Sequence, residues 1–418
     1  MQPYEYVTIL FISFLMVKEI IESILEYRNK KNVIKNRNKV PVNFTENITL
    51  EEHQKAADYT VAKINAGQIF NLIDFLILLG WTLGGGLNQL DMWVRSLGIS
   101  SIWMGAVFIF TFGIISYLLH LPHSLYSTFI LEEKFGFNKT TPKTFIIDTI
   151  KATILSVLIG GPIILAILWV MERYRDNWWI IAWALLTSFQ LLMVWAYPVF
   201  IAPLFNKFSH LEDGEVKNKV LDLLKRTGFK SKGLFVMNAS MRSSHGNAYF
   251  TGFGKNKRIV FFDTLIKTLE PEEVESVLAH ELGHYKKKHI LKSMIKSILI
   301  TLLGFFILKK VYDWSPFYLG HGARISSSYM ALLLFGLVSG IYTFFLTPIN
   351  AWFSRKNEFE ADEFAAENSK ASKLISALVK MYKDNASTLT PDPLYSSYHY
   401  SHPPALERVK FLEKLSSR

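Results

Sequence analysis

Long apolar runs recur along the chain and are separated by shorter polar stretches. Each run approaches the roughly 20 residues that a helix needs to cross a bilayer. Seven such runs lie at residues 4–25, 68–90, 102–121, 150–171, 178–205, 293–312 and 329–353. Buried helices of a soluble protein can resemble one or two of these runs, but not seven. The pattern therefore predicts a predominantly α-helical, multispan membrane protein with seven transmembrane helices.

The composition agrees with a membrane protein and narrows its chemistry. Half of the 418 residues are hydrophobic, and the formal net charge of +11 suits cytosolic loops that lie against an anionic leaflet. We expect no nucleic-acid partner, because no basic patch with stacking aromatic residues stands on a soluble segment. The chain has no cysteine, which excludes disulfides, thiolate zinc sites and a cysteine nucleophile.

The distribution of lysine and arginine predicts the orientation in the membrane. The connection after the first run, EYRNKKNVIKNRNKV, is densely basic, and the long stretch 206–292 is basic as well. The connections at 91–101 and 314–328 carry one basic residue each. Because basic connections remain in the cytosol, we expect the N-terminus on the lumenal or outer side and the C-terminus in the cytosol.

Two polar segments interrupt the membrane helices. Residues 1–205 would contain the first five spans and residues 293–353 the last two, which leaves 206–292 and 354–418 as polar segments. Each polar segment is too short to be a convincing enzyme alone. We therefore expect the two to pack into one small α+β catalytic domain on the cytosolic side.

The first polar segment predicts a short sheet followed by a helix. The sequence KGLFVMNAS is typical of a strand, and HGNAYFTGFGKNKRIVFFDTLI is typical of a hairpin with a Gly-Lys-Asn-Lys turn. Pro271 then opens a helix that should end near Lys288. Glutamates in its first turn and lysines in its last turn both suit the helix dipole.

This helix carries the sequence HELGH. His280 and His284 lie one turn apart on the same face, so their imidazoles can bind one zinc ion. Glu281 can reach a water molecule at the open coordination position of such a site. The alternative is a chance occurrence on a surface helix, and the favourable helix ends argue against it.

A third protein ligand is available after the last span, in SRKNEFEADEFAAENS. Glu358 and Asp362 are four residues apart and share one helical face. A solvated acidic helix is the alternative interpretation. Phe359, Ala361 and Phe364 make this helix unusually apolar for one that faces solvent.

Four separated motifs occur in one order and together resemble a known family. RSSHGNAYFTGFGKNKRIVFFDTL, HELGH, SRKNEFEAD and YSHPPALER are similar to the motifs of the type 1 CAAX prenyl proteases. These are integral-membrane zinc metalloproteases of the endoplasmic reticulum. The resemblance covers essentially the whole chain, including the seven apolar runs, and it implies that the helices enclose a large internal chamber.

The resemblance implies one zinc ion per chain, with His280, His284 and Glu358 as its ligands. It makes Glu281 the general base that takes a proton from water. Asp362 corresponds to a carboxylate that orients a ligand imidazole from behind.

Two further residues gain roles only through the resemblance. His402 stands where the family has a histidine that faces the reacting carbonyl group, and Arg408 matches an arginine that follows it. From the sequence alone, His402 could equally be a capping or structural histidine before two prolines. For Arg408, a structural salt bridge and a substrate contact remain equally open.

The segment Asn247, Ala248 and Tyr249 is the candidate substrate-binding strand. An edge strand beside a metal can hold a peptide as one more strand of the sheet. The family uses this strand for substrate. The alternative is an ordinary hairpin strand that neighbouring elements cover.

The resemblance also implies the reaction and the location. Proteins that end in Cys-a-a-X carry a prenyl group on that cysteine, which brings their C-termini to the lipid bilayer. The expected activity is removal of the last three residues by a metalloendopeptidase. The expected location is the endoplasmic reticulum membrane, with the catalytic site facing the cytosol, and the inner nuclear membrane as a further place.

Two other functions are weighed against this one. A membrane quality-control zinc protease shares the HExxH and ExxxAD patterns, but those chains have about four spans. A non-catalytic transporter or scaffold could use intramembrane charges such as Lys18, Glu19 and Asp74. Loss of Glu281 or of a metal ligand would be typical of a dead enzyme, and all of them are present.

Overall fold

The computed structural model describes residues 1–251 and 257–417, and most of these residues are helical. The N-terminal half is built from eight α-helices, several of which continue through π-helical turns. These helices are α1 (Pro3–Asn36), α2 (Leu50–Trp81), α3 (Gly86–Ser96), α4 (Ser101–Tyr126), α5 (Pro142–Leu155), α6 (Gly161–Arg173), α7 (Trp178–Ala196) and α8 (Ala202–Phe205).

The second half combines four short strands with ten helices. The strands are β1 (Phe208–His210), β2 (Gly233–Met237), β3 (Ala248–Thr251) and β4 (Arg258–Phe262). The helices are α9 (Glu215–Arg226), α10 (Asp263–Thr268), α11 (Pro271–Lys286), α12 (His289–Tyr312), α13 (Ser315–Gly320), α14 (Ser328–Thr343), α15 (Thr347–Asn368), α16 (Ala371–Asp384), α17 (Pro393–His399) and α18 (Ala405–Ser416).

Six helical segments among the described residues are long and apolar enough to cross a membrane. They are Leu50–Trp81, Ser101–Glu132, Pro142–Arg173, Trp178–Phe205, His289–Tyr312 and Ser328–Asn368. Large apolar side chains such as Leu192, Leu299 and Leu303 are exposed along them. Exposed leucines on long helices are the surface that a lipid environment requires. The chain is therefore a mostly helical, multispan membrane protein, as the sequence predicts.

The predicted first span is not among these six. Helix α1 has 34 residues and is long enough to cross a bilayer. However, Lys18, Glu19 and Glu22 interrupt its apolar run. By length and composition, six of the seven predicted spans are therefore found among the described residues.

The predicted second span, 68–90, is wrong at its C-terminal end. Helix α2 ends at Trp81, and the chain turns before α3 begins at Gly86. Gly85 lies in this turn with φ of +82°, a conformation that glycine adopts without steric cost. The three consecutive glycines at 84–86 thus end the span nine residues earlier than the apolar pattern alone indicates.

The four strands form one sheet in the order β1-β2-β4-β3. Strands β3 and β4 are antiparallel, which confirms the predicted hairpin. Most of its predicted Gly-Lys-Asn-Lys turn lies outside the described residues. Strand β4 pairs in parallel with β2, and β1 is a short strand that the pattern did not predict. Within the described sheet, β3 is therefore an edge strand.

Helix α15 connects the membrane to the second polar segment without a break. Helix α14 continues through one 3₁₀ turn, Phe344–Leu346, into α15, so the segment Ser328–Asn368 is a single long helical rod. Glu358, the predicted metal ligand, and Asp362, the predicted orienting carboxylate, lie near the end of this rod. Their position is consequently tied to that of a membrane helix.

The two polar segments share one apolar core. Leu223, Phe261 and Leu278 of the first segment pack in the same cluster as Leu374 and Leu412 of the second. A separate cluster of buried residues joins the membrane helices.

Candidate active site

Helices α11 and α15 approach each other very closely where the HELGH segment of α11 faces the carboxylates of α15. A Cβ atom built on Gly283 would lie 2.8 Å from the Cα atom and 3.0 Å from the carbonyl oxygen of Ala361. Only glycine at position 283 permits this approach without a shift of backbone. The glycine within HELGH therefore brings the two histidines of α11 against the carboxylates of α15.

His280, His284 and Glu358 converge in the gap between these helices. The Nε2 atom of His280 lies 3.2 Å from Nε2 of His284 and 3.4 Å from Oε2 of Glu358. His284 Nε2 lies 3.3 Å from Oε1 of the same carboxylate. The carboxylate of Glu358 thus faces one imidazole with each of its oxygens, and one ligand atom from each of the three residues lies within 4.8 Å of the others.

The spacing of these groups suits a tetrahedral metal site. Metal–ligand distances of about 2.0–2.1 Å at a tetrahedral angle place neighbouring ligand atoms about 3.4 Å apart. The two imidazole nitrogens are 3.2 Å apart, and each lies 3.3–3.4 Å from one oxygen of the Glu358 carboxylate, which agrees with that value. Two imidazoles and a carboxylate are also a donor set that zinc accepts in catalytic sites. The residues present therefore fit a zinc ion with one coordination position left open.

Asp362 lies directly behind His280. Its Oδ1 atom is 2.7 Å from Nδ1 of His280, which leaves the Nε2 atom of that ring for a metal. Arg408 donates two hydrogen bonds to Asp362, of 2.9 and 2.6 Å, and all three side chains are buried. The guanidinium group of Arg408 helps to hold the pKa of Asp362 below its usual range, although burial opposes this.

A similar chain of contacts, which the sequence analysis missed, lies behind His284. Its Nδ1 atom is 3.0 Å from Nδ1 of His289, and Nε2 of His289 is 3.0 Å from a carboxylate oxygen of Glu360. The sequence signal that could have predicted this second chain is a third histidine, five residues after HELGH, together with an extra glutamate two residues after Glu358.

Glu281 and His402 lie close to the three candidate ligands. Burial raises the pKa of the Glu281 carboxyl, while positive charge on the nearby histidines opposes that shift. His402 lies with its Nδ1 atom 2.7 Å from Oε2 of Glu358, and its side chain is 65% exposed. The imidazole of His402 thus borders the metal site and still faces open space.

The predicted substrate strand, β3, lies beside helix α11. Ala248 at the start of β3 packs in the same core cluster as Val274 and Leu278 of α11. Asn247 immediately precedes the strand, and its carbonyl oxygen accepts a hydrogen bond of 2.9 Å from the backbone N–H of Phe262. Hydrogen-bonded pairs alternate along an antiparallel ladder, so the backbone groups of Ala248 point to the free edge.

The helices and the site together define a class of protein. A multispan membrane chain that places HExxH on one helix, a third carboxylate ligand on another and an edge strand beside them is an integral-membrane metallopeptidase.

Comparisons with known proteins identify the family. A family model for the CAAX prenyl protease N-terminal region, with five membrane helices, matches residues 29–207, and one for peptidase family M48 matches residues 210–416. The chain belongs to the CAAX prenyl protease 1 family, within peptidase family M48, and is a metalloendopeptidase.

Individual relatives match this chain over nearly its full length. CAAX prenyl protease 1 of Saccharomyces cerevisiae is 36% identical, and the match covers 95% of this chain and 93% of that one. The Dictyostelium discoideum homologue is also 36% identical, with 97% and 96% covered. The crystal structure of S. mikatae Ste24p superposes with a TM-score of 0.91 at 34% identity, covering 97% of this chain and 99% of the other.

Proposed function

We propose that this protein removes the C-terminal three residues from prenylated Cys-a-a-X proteins and peptides, using one zinc ion bound by His280, His284 and Glu358. The observation that carries the proposal is the cluster of His280, His284 and Glu358 between α11 and α15, with Glu281 and His402 next to it. The relatives named CAAX prenyl protease 1 support the choice of substrate.

The residues around the ligands have separate tasks. A bound zinc ion supplies Lewis acidity, which lowers the pKa of water and polarises a carbonyl group. Asp362, held by Arg408, fixes the ring of His280 so that Nε2 faces the metal. The Glu281 carboxylate accepts a proton from the attacking water and then donates it to the departing amine. His402 donates a hydrogen bond to the oxygen on which negative charge develops.

The edge strand positions the peptide for this reaction. A substrate segment that adds to β3 exchanges main-chain hydrogen bonds with the free edge at Ala248. The N–H of Ala248 is satisfied meanwhile by the side-chain oxygen of Asn247, at 2.8 Å. Tyr249 is the next residue along the strand. Main-chain pairing of this kind holds an extended peptide with little regard to its side chains.

Helix α1 is the seventh membrane span in this proposal. Its 34 residues extend about 50 Å, which exceeds the roughly 30 Å of a hydrocarbon core. Apolar side chains such as Ile9 and Ile20 are exposed on it. Its charges have partners inside the protein, since Lys18 pairs with Glu19 at 2.7 Å. Glu22 likewise has a partner within the protein, because its carboxylate lies 3.2 Å from His399.

The seven helices enclose a chamber that opens to the catalytic domain, and residues 206–292 and 354–418 form that domain on the cytosolic side. Polar residues on facing helices support an internal aqueous space. Asp74 of α2 lies 3.2 Å from His120 of α4, and Asn71 donates a hydrogen bond of 3.1 Å to Glu26 of α1.

We place the protein in the endoplasmic reticulum membrane, with the inner nuclear membrane as a further location.

The test is release of the C-terminal tripeptide from a farnesylated Cys-a-a-X peptide by the purified full-length protein. The same peptide without its lipid and a Glu281→Gln variant are the controls. We expect lipid-dependent release, and a fall in kcat of about 10²–10⁴ in the variant at unchanged zinc content, because general acid–base catalysis contributes about that factor.

Other outcomes would point elsewhere. Equal cleavage of lipidated and unlipidated peptide would favour a quality-control protease. No cleavage by zinc-loaded protein would favour a scaffold.

A further inference from the structure

A cavity of about 560 Å³ adjoins the metal site on the side of His402. It is lined by parts of α1 and α2, by Tyr382 of α16 and by residues on either side of His402, including Tyr400. Sites for small ligands have volumes of this order. The cavity is therefore a space in which part of a substrate, or a released product, can lie next to the reacting bond.

One lysine gives this cavity its positive charge. Among the described residues that line it, Lys63 of α2 is the only lysine or arginine. Its ammonium group lies 4.0 Å from the centre of the Tyr59 ring and forms no ion pair with a described carboxylate. The neighbouring histidines are already engaged, because His399 lies 3.2 Å from Glu22 and His402 lies 2.7 Å from Glu358. Lys63 thus offers an accessible cation.

The edge strand points toward the same lysine. An added peptide that pairs antiparallel with β3, as β4 does on its other side, has its C-terminal end near Asn247, where β3 begins. Two residues before Asn247, His245 has its Nε2 atom 3.6 Å from Glu132. The hydroxyl group of Tyr59 donates a hydrogen bond to the same glutamate. Tyr59 in turn carries Lys63 over its ring.

We propose that Lys63 binds the C-terminal carboxylate of the peptide substrate and thereby helps to set the cleavage position three residues from the end. This inference rests on the function proposed above. Three extended residues span about 10 Å, so a carboxylate held at a fixed point places one particular peptide bond at the metal. The ammonium group forms an ion pair with a terminal carboxylate, whereas a C-terminal amide or an internal peptide bond carries no negative charge to complete the pair.

The nearby carboxylates strengthen the dependence on Lys63. Glu26 also lines the cavity, where Asn71 donates a hydrogen bond to it, and Glu132 is bonded by Tyr59. Without the lysine, these two glutamates would repel a substrate carboxylate. Lys63 therefore both attracts the substrate terminus and offsets the negative charge around it.

The test compares two farnesylated Cys-a-a-X peptides that differ only in having a free C-terminal carboxylate or a C-terminal amide. kcat/KM is measured for the wild-type protein and for Lys63→Met, Lys63→Arg and Lys35→Met. Lys35 is an exposed lysine near the end of α1 and does not line the cavity. A charged hydrogen bond of this kind corresponds to about a tenfold to hundredfold difference in kcat/KM.

We expect the wild-type protein and Lys35→Met to prefer the free acid by that factor. Lys63→Met should lose the preference by slowing cleavage of the acid while leaving the amide within about twofold of wild type, and Lys63→Arg should retain it. An unchanged acid-to-amide ratio in Lys63→Met, or equal wild-type cleavage of both peptides, would overturn the inference and leave the proposed function standing. Absence of tripeptide release from the acid by the wild-type protein would overturn both.

Discussion

At the scale of single residues, Asp362 is the buried side chain that we propose prepares the metal site without touching the substrate. It accepts from Nδ1 of His280 and is itself held by two hydrogen bonds from Arg408. A carboxylate in this position fixes both the tautomer and the orientation of a ligand imidazole. It also balances the charge of Arg408, which is buried.

Replacing Asp362 by Asn should therefore reduce zinc affinity about tenfold to a hundredfold, because His280 loses the acceptor that orients its ring. Zinc affinity is measured by titration with a competing chelator, and activity should recover at high zinc concentration.

The control for this variant is Asp392→Asn. Asp392 is likewise buried and pairs with an arginine, Arg28, at 3.0 Å, but it does not contact a metal ligand. We expect it to lower the melting temperature and to leave zinc affinity unchanged. Wild-type zinc affinity in Asp362→Asn would show that Asp362 does not orient His280.

At the scale of elements, the close contact between α11 and α15 is the feature on which the site depends. Gly283→Ala would gain up to about 1 kcal/mol of helix propensity. The added Cβ atom would nevertheless lie 2.8 Å from the Ala361 backbone, so the helices must separate. We expect a lower melting temperature and a marked loss of zinc affinity, because His284 moves away from Glu358.

Gly304→Ala in α12 is the matched control. It is also a glycine in a helix interior, and a Cβ atom built there meets nothing within 4 Å. This variant should be neutral or slightly more stable, since only the propensity gain remains. Equal behaviour of the two variants in thermal unfolding and zinc binding would exclude the steric explanation.

The contact of α11 with α16 predicts a pH dependence of stability. Glu273 is buried and pairs with Lys380 at 2.8 Å. Burial would raise the pKa of Glu273, but its bonds from Lys380 and Ser376 outweigh burial and lower it. A lowered folded-state pKa contributes stability that is present above the unfolded pKa of about 4.3 and is lost as pH falls through the folded pKa.

Glu273→Gln should accordingly lower the melting temperature by a few degrees at pH 7, and the difference from wild type should shrink as the pH falls below about 4. Melting temperatures of the full chain in detergent between pH 7 and pH 3 measure this. The exposed Glu46→Gln serves as a control and should follow wild type at every pH. A difference that stays constant with pH would contradict the assigned ion pair.

At the scale of the whole molecule, the chain offers a direct test of its topology because it contains no cysteine. Single cysteines introduced at Gln2, Asp313 and Ser417 can be labelled in intact microsomes with a membrane-impermeant maleimide. With seven spans, Ser417→Cys reacts at once, while Gln2→Cys and Asp313→Cys react only after detergent is added.

The position of Gln2 distinguishes seven spans from six. If α1 does not cross the bilayer, Gln2→Cys will react in intact microsomes together with Ser417→Cys. Asp313 follows α12, and its side chain is 79% exposed, so its labelling after detergent shows that the reagent reaches lumenal cysteines.

The elements that the sequence predicted well are those with a strong local signal. Pro271 and the charges at both ends delimited α11 to within two residues, and alternating apolar residues identified the β3–β4 hairpin. The end of α2 was predicted wrongly, because an apolar count does not register that glycines at 84–86 allow the chain to turn. The contact of His289 with Glu360 joins two residues that are 71 positions apart in the sequence, so it has no local signal.

The sequence by itself determined the class of chain through its apolar runs, and it placed His280 and His284 on one face of the HExxH helix, because helical spacing puts i and i+4 residues on the same side whatever the surroundings. The resemblance to a known family implied Glu358 as the third ligand. Only the tertiary structure decided that Glu358 meets His280 and His284 at ligand distances, through the contact that Gly283 permits. It alone brought Lys63 and His402 to the walls of one cavity, because that arrangement depends on how distant helices pack and not on any local pattern.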